Sequence, residues 1–195
     1  MRDSRRPVIL ASRSKARQKL LRQIGLKFRI VESRAREETR LAGRCSDFVI
    51  RNAVKKAREV AGRVDSGVVI GADTVVLVGN KIIGKPKTLA DAYRALRILS
   101  KKPQWVYTGI AVIDVESGKV YTDHEKTKVY MYPLTDKQIG RYFKKISPFD
   151  KAGSFDVQGP GSIFIDRIEG CFYNVVGLPL AKLAKIFRKI GIKIF

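Results

Sequence analysis

The chain has a single histidine, His124, and two cysteines, Cys45 and Cys171, among its 195 residues. One histidine cannot build a zinc centre or a serine- or cysteine-type catalytic triad, so those mechanisms are excluded. The two cysteines stand far apart with no metal-ligand spacing and read as free thiols. No apolar run approaches the roughly 18 residues needed to span a bilayer, which argues against a membrane protein. The apolar stretch near the amino terminus is too short for a signal-peptide core, and a cytoplasmic location is expected. There is no GxxxxGK[ST] phosphate loop, no internal repeat, no low-complexity segment and no linker. Acidic residues are also scarce, 18 against 40 Lys and Arg, for a formal net charge of +22.

That excess favours anionic partners such as nucleotides, nucleic acid or acidic surfaces. It is spread out, with 19 Lys and Arg against 7 Asp and Glu up to residue 65 and 21 against 11 beyond it. No basic tail and no interleaving of aromatic and basic residues along the chain marks a single-strand binder. A solvated basic surface is therefore the first reading, with nucleic acid a possible but secondary partner. A hydrophobic share of 45% and a charged share of 30% are those of a globular protein. The length suits one domain, residues 1–195, with a real core.

Local patterns alternate between strand and helix. "PVILA" (7–11) is a short apolar strand, followed by "SKARQKLLRQIG", a helix whose entry places Ser12 at its N-terminus and Gly25 at its end. "KFRIVE" is a second strand, and "SDFVIRNAVKKAREVAGR" an amphipathic helix with Ser46 as its expected cap. "VVIGADTVVLVGNKII" reads as a strand, a Gly79-Asn80 turn and a return strand. Thr88 with Asp91 forms a capping box, and Thr135 caps another helix. Residues 104–131 form a long hairpin. A Gly/Pro-rich loop (147–162), a short strand and a carboxy-terminal helix complete an α/β domain with a mixed sheet flanked by helices.

Three polar residues break these patterns. Asp73 interrupts an apolar strand, where a carboxylate needs a proton, a cation or strong donors. Stepping back from Leu20, Leu21 and Ile24 lands on Arg17, so an arginine occupies the core-facing stripe of its helix. Lys56 lies on the stripe of Val49, Ala53, Val60 and Ala61, while Lys55 and Arg58 point outward. Arg17 or Lys56 alone is explained by snorkelling. Together they describe an anion site. If the first strand and the Asp73 strand are neighbours, Ser12 and Asp73 both sit at the carboxyl ends of strands, where open α/β sheets hold ligands. Lys85, extended by Pro86, can reach back across its hairpin. Several cations with a carboxylate suit a phosphorylated substrate and a divalent metal.

Six segments in order, "ILASRSKARQKLLRQIGLKF", "VIGADTVV", "IIGKP", "LADAYRALRILSKKPQWVYTGIAV", "DKAGSFDVQGPGS" and "EGCFYNVVGLPL", closely resemble the Maf family of nucleotide pyrophosphatases, from about residue 7 to residue 190. The resemblance implies a fold related to inosine-triphosphate pyrophosphatases, often dimeric. It also implies house-cleaning hydrolysis of nucleoside triphosphates between the α and β phosphates with Mg²⁺ or Mn²⁺. By the same resemblance, Asp73 is the general base and a metal carboxylate. Glu37, with Glu38 adjacent, is the second acidic residue. Ser12, Arg17, Lys56 and Lys85 bind phosphates, and Thr74 and Gln158 bear on base selection. The chain reads Ser14-Lys15-Ala16-Arg17 where the family usually has Ser-Pro-Arg-Arg; Ala16 thus replaces an arginine associated with the pyrimidine-preferring branch. Thr74 still resembles that branch, which favours dTTP and UTP. Three readings stay open: dTTP/UTP or broad specificity, specificity for modified purine nucleotides, and a basic nucleic-acid-binding protein with a vestigial nucleotide site.

Overall fold

The computed structural model describes residues 6–149 and 152–194. Among the described residues there are seven strands and six α-helices, in the order expected from the alternating patterns except for the short helix Phe172–Val176, which those patterns did not indicate. The strands are β1 (Val8–Leu10), β2 (Arg29–Ile30), β3 (Val68–Val78), β4 (Lys81–Ile83), β5 (Gln104–Asp114), β6 (Val120–Met131) and β7 (Ile165–Glu169). The helices are α1 (Lys15–Gln23), α2 (Cys45–Ala61), α3 (Leu89–Leu99), α4 (Asp136–Phe143), α5 (Phe172–Val176) and α6 (Leu180–Lys189). The sheet is mixed, with strand order β2-β1-β3-β5-β6-β7 and β4 paired on β3. No helix among the described residues is long and apolar enough to cross a membrane. By backbone proximity the described chain forms two compact units: residues 6–73, 108–125 and 177–194, and residues 74–107, 126–149 and 152–176.

In the first unit, β1 runs parallel to both β2 and β3, with Leu10 opposite Ile30 on one side and Ile70 on the other. Ser14 caps α1: its side chain accepts the Arg17 N–H. The helix thus begins where the segment "SKARQKLLRQIG" does, and it closes through a Leu26 N–H to Leu21 carbonyl bond around Gly25. Ser46, by contrast, is not a cap. Helix α2 starts from Arg44 with no side-chain capping bond, and the Ser46 hydroxyl turns to Asp47 instead. The apolar face of α2 (Ala53, Ala57 and Val60) packs on Ile9, Val69, Ala111 and Ile113.

Two glycines set how closely α2 approaches the strands. A Cβ on Gly71 would lie 2.2 Å from the Ala53 carbonyl oxygen, and one on Gly109 would lie 2.4 Å from the Val49 carbonyl carbon. Only residues without side chains permit that contact. It lowers the inward side of α2 onto β3, next to Asp73.

The second unit has its own core of Val76, Val78, Leu96, Leu99, Val106, Val129, Ile139, Tyr142, Phe155 and Phe164. Both of its capped helices are as expected: Thr88 with Asp91 on α3, and Thr135 with Gln138 on α4, make reciprocal capping boxes. The Gly/Pro-rich loop is tied down by Asp156, whose carboxylate accepts the Gly161 N–H at 2.8 Å and whose own N–H donates to the Tyr142 hydroxyl at 3.0 Å.

Candidate active site

Asp73 lies three residues beyond Ile70, the last position at which β3 pairs with β1. It is thus at the end of the parallel pairing but inside an eleven-residue strand, not at the strand's carboxyl end. Its side chain is 8% exposed. An ionised carboxylate so placed requires partners for both oxygens, and α2 supplies them from two residues one turn apart. The Lys56 ammonium is 2.7 Å from Oδ1, and the Asn52 amide donates to Oδ2 at 3.1 Å. The two donors come from i and i+4 positions on the side of α2 that Gly71 and Gly109 bring close.

Lys56 does not serve Asp73 alone. Its ammonium also lies 3.0 Å from Glu37 Oε1, and while Asp73 is buried, Glu37 is 51% exposed. One cation therefore bridges an interior carboxylate and one that faces solvent. Of the two adjacent acids, Glu37 is the one that reaches this pair. Glu38 turns to the outer side of α2, where Lys55 at 2.7 Å and Arg51 at 3.0 Å hold it. These bonds, Lys55 first, keep its carboxyl below the usual carboxylate range.

The loop that carries Glu37 is fastened by Asn52. The Asn52 side chain accepts the Glu38 backbone N–H at 2.8 Å and donates to the Glu38 carbonyl at 3.2 Å, in addition to its bond with Asp73. Asn52 thus ties strand, helix and acidic loop together. An asparagine beside arginines and lysines in an amphipathic helix gave no signal of this. Its place four residues before Lys56, on the same stripe, is the feature that could have.

Ser12 and Arg17 form a second cluster in the same unit. Arg17 is buried; its Nε donates to the Gly177 carbonyl at 2.8 Å and its Nη1 to the Ser12 hydroxyl at 3.2 Å. Burial pulls the guanidinium pKa down, and the charges of Asp73 and Glu37 pull it back up. Arg17, Asp73 and Glu37 therefore feel one another's fields. Cys45, the first residue of α2, is a buried thiol pushed up to about 11, by burial first and then by the charge of Asp73. It is held as a neutral thiol, not as a nucleophile.

The structure brings Ser12, Arg17, Glu37, Lys56 and Asp73 together in the first unit. The other three expected site residues belong to the second. Thr74 follows Asp73 on β3 and is half-buried, Lys85 is exposed two residues after β4, and Gln158 is exposed in the Gly/Pro-rich loop.

No group of three or more His, Cys, Asp and Glu side chains suited to a metal occurs among the described residues. The donor set that does occur is Asp73 and Glu37, already sharing a single positive charge in the Lys56 ammonium. Two carboxylates that converge on one cation fit a hard divalent ion that draws its remaining ligands from phosphates and water.

A family model described as Maf-like protein matches residues 7–190. A dTTP/UTP pyrophosphatase of Methanosarcina barkeri is 41% identical over 191 residues, covering 97% of this chain and 97% of that protein. A dTTP/UTP pyrophosphatase of Desulforamulus reducens is 44% identical over 189 residues, covering 97% and 99%. Among solved structures, a nucleoside-triphosphatase (dITP/XTP pyrophosphatase) from Mycobacterium abscessus overlaps 71% of this chain and 94% of its own, with a TM-score of 0.42 and 14% identity.

Proposed function

Because the chain belongs to the Maf family, we propose that the Asp73 cluster is its catalytic centre and that pyrimidine nucleoside triphosphates, dTTP and UTP, are its preferred substrates. The enzyme is a nucleoside triphosphate pyrophosphatase with a house-cleaning role. The single observation that carries the site assignment is the buried Asp73 carboxylate held by Lys56 and Asn52, with Glu37 on the same ammonium. The names of the relatives and the identity of Thr74 support the pyrimidine preference.

In this reading a water molecule attacks the α phosphorus, the bond from that phosphorus to the α–β bridging oxygen breaks, and pyrophosphate leaves. Asp73 accepts the proton of the attacking water. Its strand position fixes the carboxylate in direction, and Asn52 holds one oxygen while the other faces Lys56. Lys56 and Arg17 supply positive charge for the phosphates, and Ser12 orients Arg17 through its hydroxyl. Lys85 contributes a further phosphate contact, and Thr74 and Gln158 discriminate the base. A divalent ion, Mg²⁺ or Mn²⁺, held by Asp73 and Glu37, would neutralise phosphate charge. The proposal includes one catalytic domain spanning the chain, a homodimer and a cytoplasmic location.

The test is pyrophosphate release from a panel of canonical and modified nucleoside triphosphates with Mg²⁺, run in ¹⁸O-labelled water. The expected result is fastest turnover of dTTP and UTP with the label in the monophosphate. Label in pyrophosphate would place the attack on the β phosphorus. Turnover confined to modified purine triphosphates would overturn the pyrimidine preference, and no turnover of any would overturn the site.

A further inference from the structure

The second unit carries a surface that the catalytic reading does not use. On β6, Thr127 and Val129 are buried, whereas Lys126, Lys128 and Tyr130 alternate with them and lie on the opposite face. On β5, Trp105 and Tyr107 are partly exposed between the buried Gln104, Val106 and Thr108. Register pairs Lys128 with Glu169 and Tyr130 with Arg167 on β7. One side of three strands therefore presents rings and cations side by side.

The contacts are close. The Lys126 and Lys128 ammonium groups lie 5.2 and 5.5 Å from the Trp105 ring centre. Lys128 is also 5.0 Å from the Tyr130 ring centre, and the Arg167 guanidinium stacks 3.5 Å above that ring. Beside Tyr130 is an open depression that Lys101 and Lys102 also line. Of these five cations, Arg167 is paired with Asp166 at 2.9 Å and with Glu169 at 3.2 Å. Such interleaving is absent along the chain because it runs across strands.

We propose that this face binds single-stranded nucleic acid. Its net positive charge matches a phosphate backbone. Trp105, and the Tyr130–Arg167 stack, offer flat surfaces to bases that are not already stacked in a duplex. A second copy of the chain would bring like charges together. A duplex would meet the cations but leave the rings without base faces. The sequence preference is weak, since every base has a face to stack.

Trp105 is the only tryptophan in the chain, so intrinsic fluorescence reports this face directly. The full chain is titrated with an oligothymidylate of about 15 nucleotides without a terminal triphosphate, within the site sizes of ~4–16 nucleotides seen for such surfaces. Saturable quenching is expected, with affinity falling as salt rises by a log–log slope of about −0.7 for each contacted phosphate. Lys128→Ala and Tyr130→Leu each weaken binding at least tenfold while pyrophosphate release and the thermal transition stay as in the parent. Asp73→Asn leaves the oligonucleotide affinity unchanged, which separates this surface from the catalytic site. Absence of quenching at about 50 mM salt, equal binding of a blunt duplex, or unchanged binding by both variants would each overturn the proposal. So would a response only to anionic vesicles or only to protein concentration.

Discussion

Replacing Gly71 by alanine should loosen the joint between α2 and β3 on which the whole cluster rests. The added Cβ would sit 2.2 Å from the Ala53 carbonyl oxygen and 2.9 Å from both the Ala57 Cβ and its backbone nitrogen. Two of these three are backbone atoms, which no rotamer change can move. Restoring a contact near ~3.5 Å requires α2 to retreat by about 1 Å. That would stretch the 2.7 Å Lys56–Asp73 contact and the 3.1 Å Asn52–Asp73 bond past the ~3.2 Å limit of a good hydrogen bond. Overpacking of this kind costs ~1–3 kcal/mol, and the weakened ion pair places Gly71→Ala at about 3 kcal/mol, the upper end of that range. With a urea m-value of about 2 kcal/mol/M, the unfolding midpoint should fall by about 1.5 M. Gly62→Ala is the control. Gly62 ends α2 with φ −70°, and a Cβ there meets only the Arg58 and Glu59 carbonyl oxygens at 3.6 and 3.8 Å. It should be neutral or stabilise by ~0.4–1 kcal/mol. Equal midpoints for Gly71→Ala and the parent protein would refute the view that the α2 approach is set by this glycine.

Two further outcomes follow from the electrostatics. Burial and Asp73 push the Cys45 thiol up to about 11, so in the native protein at pH 8 only Cys171 should react with a disulfide reagent, and both thiols after unfolding; a native count of two would contradict this. Asp91, bonded first by Arg94 and then by Thr88, has its pKa lowered from 3.8 to about 2. A depressed folded value stabilises above the unfolded pKa and is lost as pH falls through the folded one. The stability gap between the parent and Asp91→Asn should be constant above about pH 4 and close as pH falls towards about 2. A gap independent of pH across that window would refute the assignment.

Periodicity made part of this site legible before any coordinates. Arg17 and Lys56 stand on apolar stripes, and both are buried where a stripe residue should be. The capping boxes at Thr88 and Thr135 were legible because both halves lie within four residues. Asn52 was not legible, since its three bonds reach a loop 14 residues away and a strand 21 residues away. The start of α2 at Ser46 was misplaced because a serine is a good cap by composition, whereas the helix starts from Arg44 without a side-chain cap. Helix α5, five residues long, is too short to show a period. The ring-and-lysine face depends on register between β6 and β7, which no local pattern encodes.

The most direct test of the central claim is the rate of pyrophosphate release by Asp73→Asn against the parent with dTTP and Mg²⁺, with circular dichroism spectra of both. The amide keeps the shape of the side chain but cannot take the water's proton. The account predicts a folded protein slowed by ~10²–10⁴-fold, the range general base catalysis supplies. A folded variant that turns over within a few-fold of the parent would contradict it.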